Sequence, residues 1–235
     1  MELVHAPVPE LKALLTESFE HWAQEGRTCA LSGGTTALIF LPALRAANVD
    51  WPRITLFWAD ELAVDFVDPE SNYGLAERML LNPLGRRGPR TMRMPMELPL
   101  AQAAQKYDDV LAKELGGEAL DLAILGVGED GHVCSLFPGH SAAHIEREPV
   151  ASPRTVAVED APKFPRRRLS LTMPFLLQTK RIWLMAIGPR KLPVLQAALS
   201  KTQRSTPLDL LIQQSKDVTV FTDQVIRSAL TSRRA

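Results

Sequence analysis

The chain has 235 residues, of which 46% are hydrophobic and 23% are charged. This composition is typical of an ordinary soluble protein and excludes a disordered, fibrous or membrane chain. Its 27 basic and 27 acidic residues cancel, so no overall field attracts it to nucleic acid or to anionic lipid. We therefore expect neither nucleic acid nor a membrane among its partners, and an anionic ligand would have to be small and bound locally.

The cysteines and the first residues bear on the cellular compartment. Cys29 and Cys134 form no Cys-x-x-Cys pair, so we expect two reduced, structural thiols. The amino-terminal sequence has no basic segment followed by an apolar run and no small-residue cleavage site. No apolar run reaches the roughly 18 residues of a membrane span. These observations predict a cytoplasmic protein.

The first predicted elements are a helix, a strand and a second helix. Residues 9–24 carry apolar side chains at spacings of three and four, which is typical of one face of a helix. Those side chains are Leu11, Leu14, Leu15, Phe19 and Trp22. The short apolar run over 28–31 predicts a strand, and residues 37–47 predict a helix after a loop that contains two glycines.

The alternation continues to the end of the chain. The predicted elements are, in order, a strand over 54–59, a helix over 72–81 with Ser71 as its N-cap, a surface excursion over 82–99, a helix over 101–115, strands over 120–127, 155–158, 169–171 and 182–187, a helix over 191–199, a strand over 218–221 and a short terminal helix. This order predicts an α/β fold with a doubly wound, mostly parallel sheet and helices on both faces. No linker or repeat divides the chain, so we expect one domain over residues 1–235.

The loop after the first predicted strand is the first candidate site. In open α/β sheets, ligands bind at the carboxyl ends of the strands. The loop contains Ser32, Gly33, Gly34, Thr35 and Thr36. Its glycines let backbone N–H groups approach an anion, and the following helix adds its positive end, which would suit a phosphate. The loop lacks both the P-loop and the dinucleotide pattern, so by itself it is either an anion site or a structural turn.

Two more strand ends carry ionisable residues. Asp60 and Glu61 follow the predicted strand over 54–59, where they are either functional carboxylates or ordinary capping and surface charges. The buried strand over 120–127 runs directly into glycines, Asp130 and His132. Of the five histidines, His132 alone lies at such a junction, so it is the candidate catalytic group and the others are expected to be structural or on the surface.

Basic residues form the fourth candidate site. Arg166, Arg167 and Arg168 precede a predicted strand, and Lys191 follows another. A basic triplet is usually a solvated surface, and a lysine in this place can simply begin a helix. Both nevertheless fit the requirements of a phosphate dianion, which is neutralised best by cations from two sides.

In this order, the junctions resemble the 6-phosphogluconolactonase family, part of a wider group that includes glucosamine-6-phosphate isomerase/deaminase. The resemblance spans residues 32–191. The matching stretches are Ser32-Gly-Gly-Thr-Thr36, Trp58-Ala-Asp-Glu61 with Ser71-Asn-Tyr73, Leu125-Gly-Val-Gly-Glu-Asp-Gly-His132 with Ser135-Leu-Phe-Pro-Gly139, Arg168-Leu-Ser-Leu-Thr172 and Gly188-Pro-Arg-Lys191. Deaminases look like Gly-His-Ile-Ala-Phe-Asn-Glu-Pro where this chain has Gly131-His-Val-Cys-Ser-Leu-Phe-Pro138, which favours the lactonase subfamily.

The resemblance implies a Rossmann-like fold, of the kind found in glucosamine-6-phosphate deaminase, and an enzyme of the oxidative pentose phosphate pathway. Such an enzyme hydrolyses 6-phosphoglucono-1,5-lactone to 6-phosphogluconate without a metal or an organic cofactor. In this interpretation, His132 is the general base that activates water and then returns the proton to the departing ring oxygen. Asp130 or Glu61 orients His132 or tunes its basicity.

The resemblance also implies where the substrate binds. Its phosphate would lie against the loop over 32–36, Arg168 and Lys191, and Asp60 and Asn72 complete the predicted binding residues. The implied partner is a small sugar-phosphate lactone. We expect a monomer or a small homo-oligomer.

One departure from the family pattern concerns an arginine. The family usually reads Asp-Glu-Arg where this chain has Leu62 after Asp60 and Glu61. Either Arg166 or Arg167 takes over the role of that arginine, or the activity is reduced.

Two alternative functions remain at this stage. A deaminase would share the fold, but it would need an additional acidic residue where this chain has Phe137 and Pro138. A non-catalytic sugar-phosphate sensor is also compatible with the binding residues, although no helix-turn-helix segment precedes residue 28.

Overall fold

The computed structural model describes residues 1–143, 153–200 and 206–226. Its strands are β1 (Glu2–His5), β2 (Thr28–Leu31), β3 (Thr55–Trp58), β4 (Asp60–Leu62), β5 (Arg90–Met92), β6 (Leu122–Gly126), β7 (Thr155–Val158), β8 (Arg168–Leu171), β9 (Arg181–Met185) and β10 (Val218–Thr222). Seven of them form a parallel sheet in the order β1-β10-β9-β6-β2-β3-β5, and β4, β8 and β7 form a small antiparallel sheet.

The helices lie in the connections between the strands. They are α1 (Val8–Trp22), α2 (Ala37–Ala46), α3 (Asn72–Ala76), α4 (Asn82–Leu84), α5 (Leu100–Leu115), α6 (Met173–Gln178), α7 (Leu192–Leu199) and α8 (Pro207–Gln214). A π-helical turn, Glu77–Leu81, joins α3 to α4, and a short 3₁₀ turn, Pro189–Lys191, precedes α7.

The chain changes its direction across the large sheet at the neighbouring strands β2 and β6. From β2 it proceeds to β3 and β5 on one side, and from β6 it proceeds to β9 and β10 on the other. Because parallel crossovers are right-handed, these two directions place helices on opposite faces of the sheet. The predicted doubly wound, mostly parallel α/β fold is therefore confirmed, and the crevice above β2 and β6 is where such a sheet binds ligands.

The middle of the large sheet is buried because its strands carry almost continuous apolar sequence. In the register, Leu31 of β2 lies beside Ile124 of β6 and beside Trp58 of β3, and all three side chains are buried. Tyr107 of α5 packs over this region, where its hydroxyl oxygen lies 2.8 Å from the backbone nitrogen of Trp58 and 3.0 Å from the carbonyl oxygen of Met92. These contacts attach α5 to β3 and β5.

Most predicted elements are confirmed to within two residues at each end. The strands over 28–31 and 155–158 match β2 and β7 in full. Ser71 is also confirmed as an N-cap, because its hydroxyl oxygen accepts a hydrogen bond from the backbone N–H of Gly74 at 3.0 Å.

Two predictions along the chain were wrong in part. The predicted α-helix over 72–81 ends at Ala76, where the π-helical turn continues it; helix periodicity alone does not distinguish these two forms. The surface excursion over 82–99 contains β5, which pairs with β3 at the edge of the large sheet. β5 is only three residues long and begins at the exposed Arg90, so it has no apolar pattern to reveal it.

Some elements had no counterpart in the sequence analysis. These are β1, β4, α4, α6 and α8. The short helix predicted at the end of the chain lies outside the described residues. Within the described residues, no helix has both the length and the apolar character needed to cross a bilayer.

Candidate active site

A cleft of about 470 Å³ opens at the carboxyl ends of β2, β3 and β6. It is lined by most of the predicted site residues, namely Ser32, Gly33, Gly34, Thr35, Thr36, Asp60, Asn72, His132, Arg168 and Lys191. The side chain of Asp130 contacts His132. Glu61 instead lines a second, neighbouring cavity.

One part of the cleft is electropositive. The loop over residues 32–36 leads from β2 into the ten-residue helix α2, so the N-terminal N–H groups of this helix lie at the cleft. Gly33 packs so closely against the side chain of Asn72 that a Cβ would overlap it. Lys191 also lines the cleft, and burial lowers the pKa of its ammonium group. A helix N-terminus together with a lysine suits a small dianion such as a phosphate.

His132 is held by Asp130 through one of its two ring nitrogens. Nδ1 lies 2.5 Å from the Oδ1 atom of Asp130. Burial by itself would raise the pKa of Asp130, but the hydrogen bond and the charge of His132 lower it to about 2. Asp130 is therefore ionised near neutral pH and selects the tautomer that carries its proton on Nδ1. The lone pair on Nε2 is then available to accept a proton.

The surroundings of His132 favour its neutral form. The ring of Phe137 packs against the imidazole, with the two centroids 4.6 Å apart. Burial lowers the pKa of His132, although the hydrogen bond and charge of Asp130 act in the opposite direction. A neutral imidazole near pH 7 is the form that works as a general base.

Asp60 connects the two loops that form the cleft. Its carboxylate accepts hydrogen bonds from the hydroxyl groups of Ser32 at 2.8 Å and of Ser135 at 2.9 Å. Its backbone carbonyl accepts a hydrogen bond from the side chain of Asn72 at 2.8 Å. Burial raises the pKa of Asp60, and the two serine hydroxyls act against this effect. The contacts of Asp60 thus set the distance between the loop over 32–36 and the segment after His132.

Glu61 is separated from His132. Its two oxygens accept hydrogen bonds from the backbone N–H groups of Leu62, Asn72 and Tyr73 and from the hydroxyl of Ser71, at 2.7 to 3.2 Å. Burial raises the pKa of Glu61, and the backbone donors lower it. Burial is the larger effect, and the resulting pKa is about 7. Glu61 therefore supports the start of α3, and Asp130 is the carboxylate that contacts His132.

The arginines near the cleft do not all have the roles that the sequence predicted. Arg168 lines the cleft, but its Nε and Nη2 atoms donate to backbone carbonyls of residues 163–165. Arg166 and Arg167 are exposed outside the cleft, and Arg167 pairs with Glu159 at 2.8 Å. Neither of them lines the cleft beside Leu62. Leu62 leaves that part of the wall apolar.

The sequence analysis missed two residues beside the site. Ser135 binds Asp60, and Lys163 contacts both Asp130 and His132. Ser135 follows His132 within a stretch that resembles the family, so its position was a usable signal. Lys163 lies 31 residues from His132 and is outside the stretches that were matched to the family. Within the described residues, no three His, Cys, Asp or Glu side chains are grouped as metal ligands would be.

Comparison with known sequences shows the family. The model of the family described as glucosamine-6-phosphate isomerases/6-phosphogluconolactonase matches residues 3–221. A 6-phosphogluconolactonase of Rattus norvegicus is 33% identical over 209 residues, which are 86% of this chain and 79% of the relative. A 6-phosphogluconolactonase of Homo sapiens is 36% identical over 192 residues, covering 78% of this chain and 72% of the relative.

Solved structures agree in fold. A 6-phosphogluconolactonase from Trypanosoma cruzi superposes with a TM-score of 0.82 at 22% identity and covers 98% of this chain and 97% of its own. A 6-phosphogluconolactonase from Thermotoga maritima superposes with a TM-score of 0.78 at 23% identity, covering 94% and 97% of the two chains. The family model and the two sequence relatives show that the chain belongs to the glucosamine-6-phosphate isomerase/6-phosphogluconolactonase family.

Proposed function

We propose that this chain hydrolyses 6-phosphoglucono-1,5-lactone to 6-phosphogluconate. The observation that carries the proposal is the presence, in one cleft, of an Asp130–His132 pair and an electropositive end formed by α2 and Lys191. A lactonase needs a base for water, and a phosphorylated substrate needs an anion site. The relatives named 6-phosphogluconolactonase support the same activity.

The chemistry assigned to His132 consists of two proton transfers. Nε2 removes a proton from a water molecule as the water oxygen attacks the lactone carbonyl carbon. The bond between that carbon and the ring oxygen then breaks, and the imidazolium returns the proton to the ring oxygen, which becomes a hydroxyl group. Asp130 keeps the proton on Nδ1 and stabilises the imidazolium between the two transfers.

The electropositive end of the cleft would orient the substrate. The backbone N–H groups at the start of α2 and the ammonium group of Lys191 would bind the phosphate. A substrate anchored by its phosphate presents its carbonyl carbon to the base in a restricted set of orientations, which lowers the entropic part of the barrier. Asp60, through Ser32 and Ser135, keeps the anchor and the base at a constant separation.

The role of Glu61 is proposed to be structural, because its oxygens are occupied by four donors and it lines a different cavity. Of these two carboxylates, Asp130 would then be the one that orients His132. The expected cytoplasmic location, the absence of a cofactor and the monomeric or small oligomeric state stay predictions from the sequence.

The experiment that tests this function follows lactone opening by the release of acid. Freshly prepared 6-phosphogluconolactone is compared with a buffer blank, since the lactone also hydrolyses unaided. Glucono-1,5-lactone without phosphate and glucosamine-6-phosphate serve as the second and third substrates. We expect fast hydrolysis of the phosphorylated lactone, a kcat/KM lower by about 10²-fold or more without the phosphate, and no release of ammonia from the amino sugar. Hydrolysis no faster than the blank would contradict the proposal.

A further inference from the structure

Lys163 lies beside the imidazole of His132, on the side of Nδ1, and belongs to the segment that connects β7 to β8. Its Nζ atom is 3.2 Å from the Oδ2 atom of Asp130 and 3.4 Å from Nδ1 of His132. The ammonium group thus approaches the nitrogen that faces Asp130, and Nε2 is on the other side of the ring. Nothing in the lactonase chemistry described above uses this cation.

The guanidinium of Arg168 holds the backbone of the Lys163 segment. Nε donates to the carbonyl of Pro165 at 2.8 Å, and Nη2 donates to the carbonyls of Lys163 at 3.2 Å and of Phe164 at 3.4 Å. The same guanidinium lies over the ring of Phe137, with its Cζ atom 5.5 Å from the centroid. Three consecutive carbonyls therefore accept hydrogen bonds from one buried side chain. These bonds restrict the position of the Lys163 backbone, and with it the region that the Lys163 ammonium group can reach.

The charged groups around His132 come from three parts of the fold. Asp130 belongs to its own loop, Asp60 comes from β4, and Lys163 comes from the segment before β8. Lys191 interacts electrostatically with Lys163 and Asp130, so it affects the charge around His132 indirectly. The two carboxylates favour a protonated imidazole, and among these neighbours Lys163 is the cation closest to the ring.

We propose that Lys163, placed by Arg168, is a positioning residue of the Asp130–His132 pair that keeps His132 in the neutral form needed for catalysis. This inference rests on the proposed lactonase function. The ammonium group repels a proton on the imidazole, and it also shares the carboxylate of Asp130 that would otherwise attract that proton. Lys163 thereby compensates for the two carboxylates near the ring, and His132 can act as a base at neutral pH.

The test compares Lys163→Met and Lys163→Arg with the wild-type protein. The first readout is the NMR titration of the His132 imidazole, whose signal is assigned with His132→Gln. The second is the acidic limb of the pH profile of kcat/KM for lactone hydrolysis. The matched control is Arg167→Met, which removes a positive charge from the same segment where it pairs with Glu159 outside the cleft.

We expect Lys163→Met to move both the NMR titration and the acidic limb upward by roughly 0.5 to 1 pH unit. At pH values well below the wild-type acidic limb, activity should consequently fall about threefold to tenfold, whereas well above pH 7.5 it should approach the wild-type value. Lys163→Arg should restore the wild-type titration, and Arg167→Met should leave it unchanged. A titration that does not move in Lys163→Met, or that moves downward, would overturn the inference.

Arg168→Lys tests the placement of Lys163, because it keeps the positive charge and loses the fork that binds three carbonyls. We expect a smaller upward shift than in Lys163→Met, and no additional shift when both changes are combined. An increase in KM with an unmoved titration would make Arg168 a substrate ligand and overturn its positioning role. If the wild-type protein failed to hydrolyse the lactone while the NMR shift occurred as expected, the proposed function would fall and the coupling of Lys163 to His132 would stand.

Discussion

At the scale of the residue, Asp60 and Glu61 show how two adjacent carboxylates acquire different tasks. Successive side chains of a strand point to opposite sides, so within β4 one carboxylate faces the cleft and the other faces the start of α3. Asp60 accepts hydrogen bonds from two serine hydroxyls, and Glu61 accepts them from three donors at residues 71–73 and from the backbone N–H of Leu62. Sequence alone identified both carboxylates but left open whether Glu61 or Asp130 orients His132, because the direction of the Glu61 side chain depends on the pairing of β4 with β8.

The position of Glu61 predicts a loss of stability when it is removed. Glu61→Ala leaves four donors without their acceptor in a buried place, and we expect the free energy of unfolding to fall by about 2 kcal/mol or more. Urea denaturation measures this loss. The control is Glu77→Ala, which removes only the 3.4 Å contact with the hydroxyl of Tyr73 and should cost less than about 0.5 kcal/mol.

The same variant separates structure from proton transfer. If Glu61 is structural, the acidic limb of kcat/KM in Glu61→Ala stays at the wild-type pH. A displaced limb accompanied by unchanged stability would instead place Glu61 in the proton transfer and contradict the role proposed for Asp130.

At the scale of the element, the junction between β6 and His132 explains why glycine follows this strand. The backbone N–H of Gly128 donates to the carbonyl of His132 at 2.9 Å, so the chain returns on itself within a few residues. A Cβ on Gly128 would overlap both the imidazole of His132 and the carboxylate of Asp130. The tight turn therefore allows the Asp130–His132 pair to fold back against the end of its own strand.

This geometry predicts the effect of Gly128→Ala. The added methyl group should displace the imidazole, and we expect kcat/KM for lactone hydrolysis to fall by about 10²-fold or more, since small displacements of a catalytic group have large effects on rate. Gly116→Ala is the control, because Gly116 has a φ of +57° at the end of α5 and a Cβ there would meet open space. That change should cost about 1 kcal/mol of stability and leave the rate unchanged. Equal activity of the two variants would contradict the proposed position of His132.

Some helices and strands could be predicted from the sequence, and others could not. The buried strands β2 and β6 were predictable from their continuous apolar runs, and the helices α1 and α5 from apolar side chains at helical spacing. β1, β4 and β5 have three or four residues each, and their pairing partners, not their own sequences, determine that they are strands.

At the scale of the whole molecule, the site is assembled at the point where the sheet changes direction. The loop over 32–36 follows β2, and His132 follows β6, which is the next strand in space although it lies about 90 residues later in the chain. The alternating pattern predicts such a crevice, and the motifs at the strand ends predict which residues line it. The contact of Lys163 with His132 was beyond this reasoning, because the connection from β7 to β8 has no pattern that sets its direction.

The central claim is that the imidazole of His132 is the base for lactone hydrolysis. The most direct measurement is the kcat of His132→Gln at pH 7.5, compared with the wild-type protein and with His140→Gln. The control removes another histidine that pairs with an aspartate, since Nε2 of His140 lies 2.7 Å from Oδ1 of Asp160, and His140 is not part of the cleft. We expect His132→Gln to lose about 10²- to 10⁴-fold in kcat and His140→Gln to retain the wild-type value. A kcat of His132→Gln within about twofold of the wild-type value would contradict the claim.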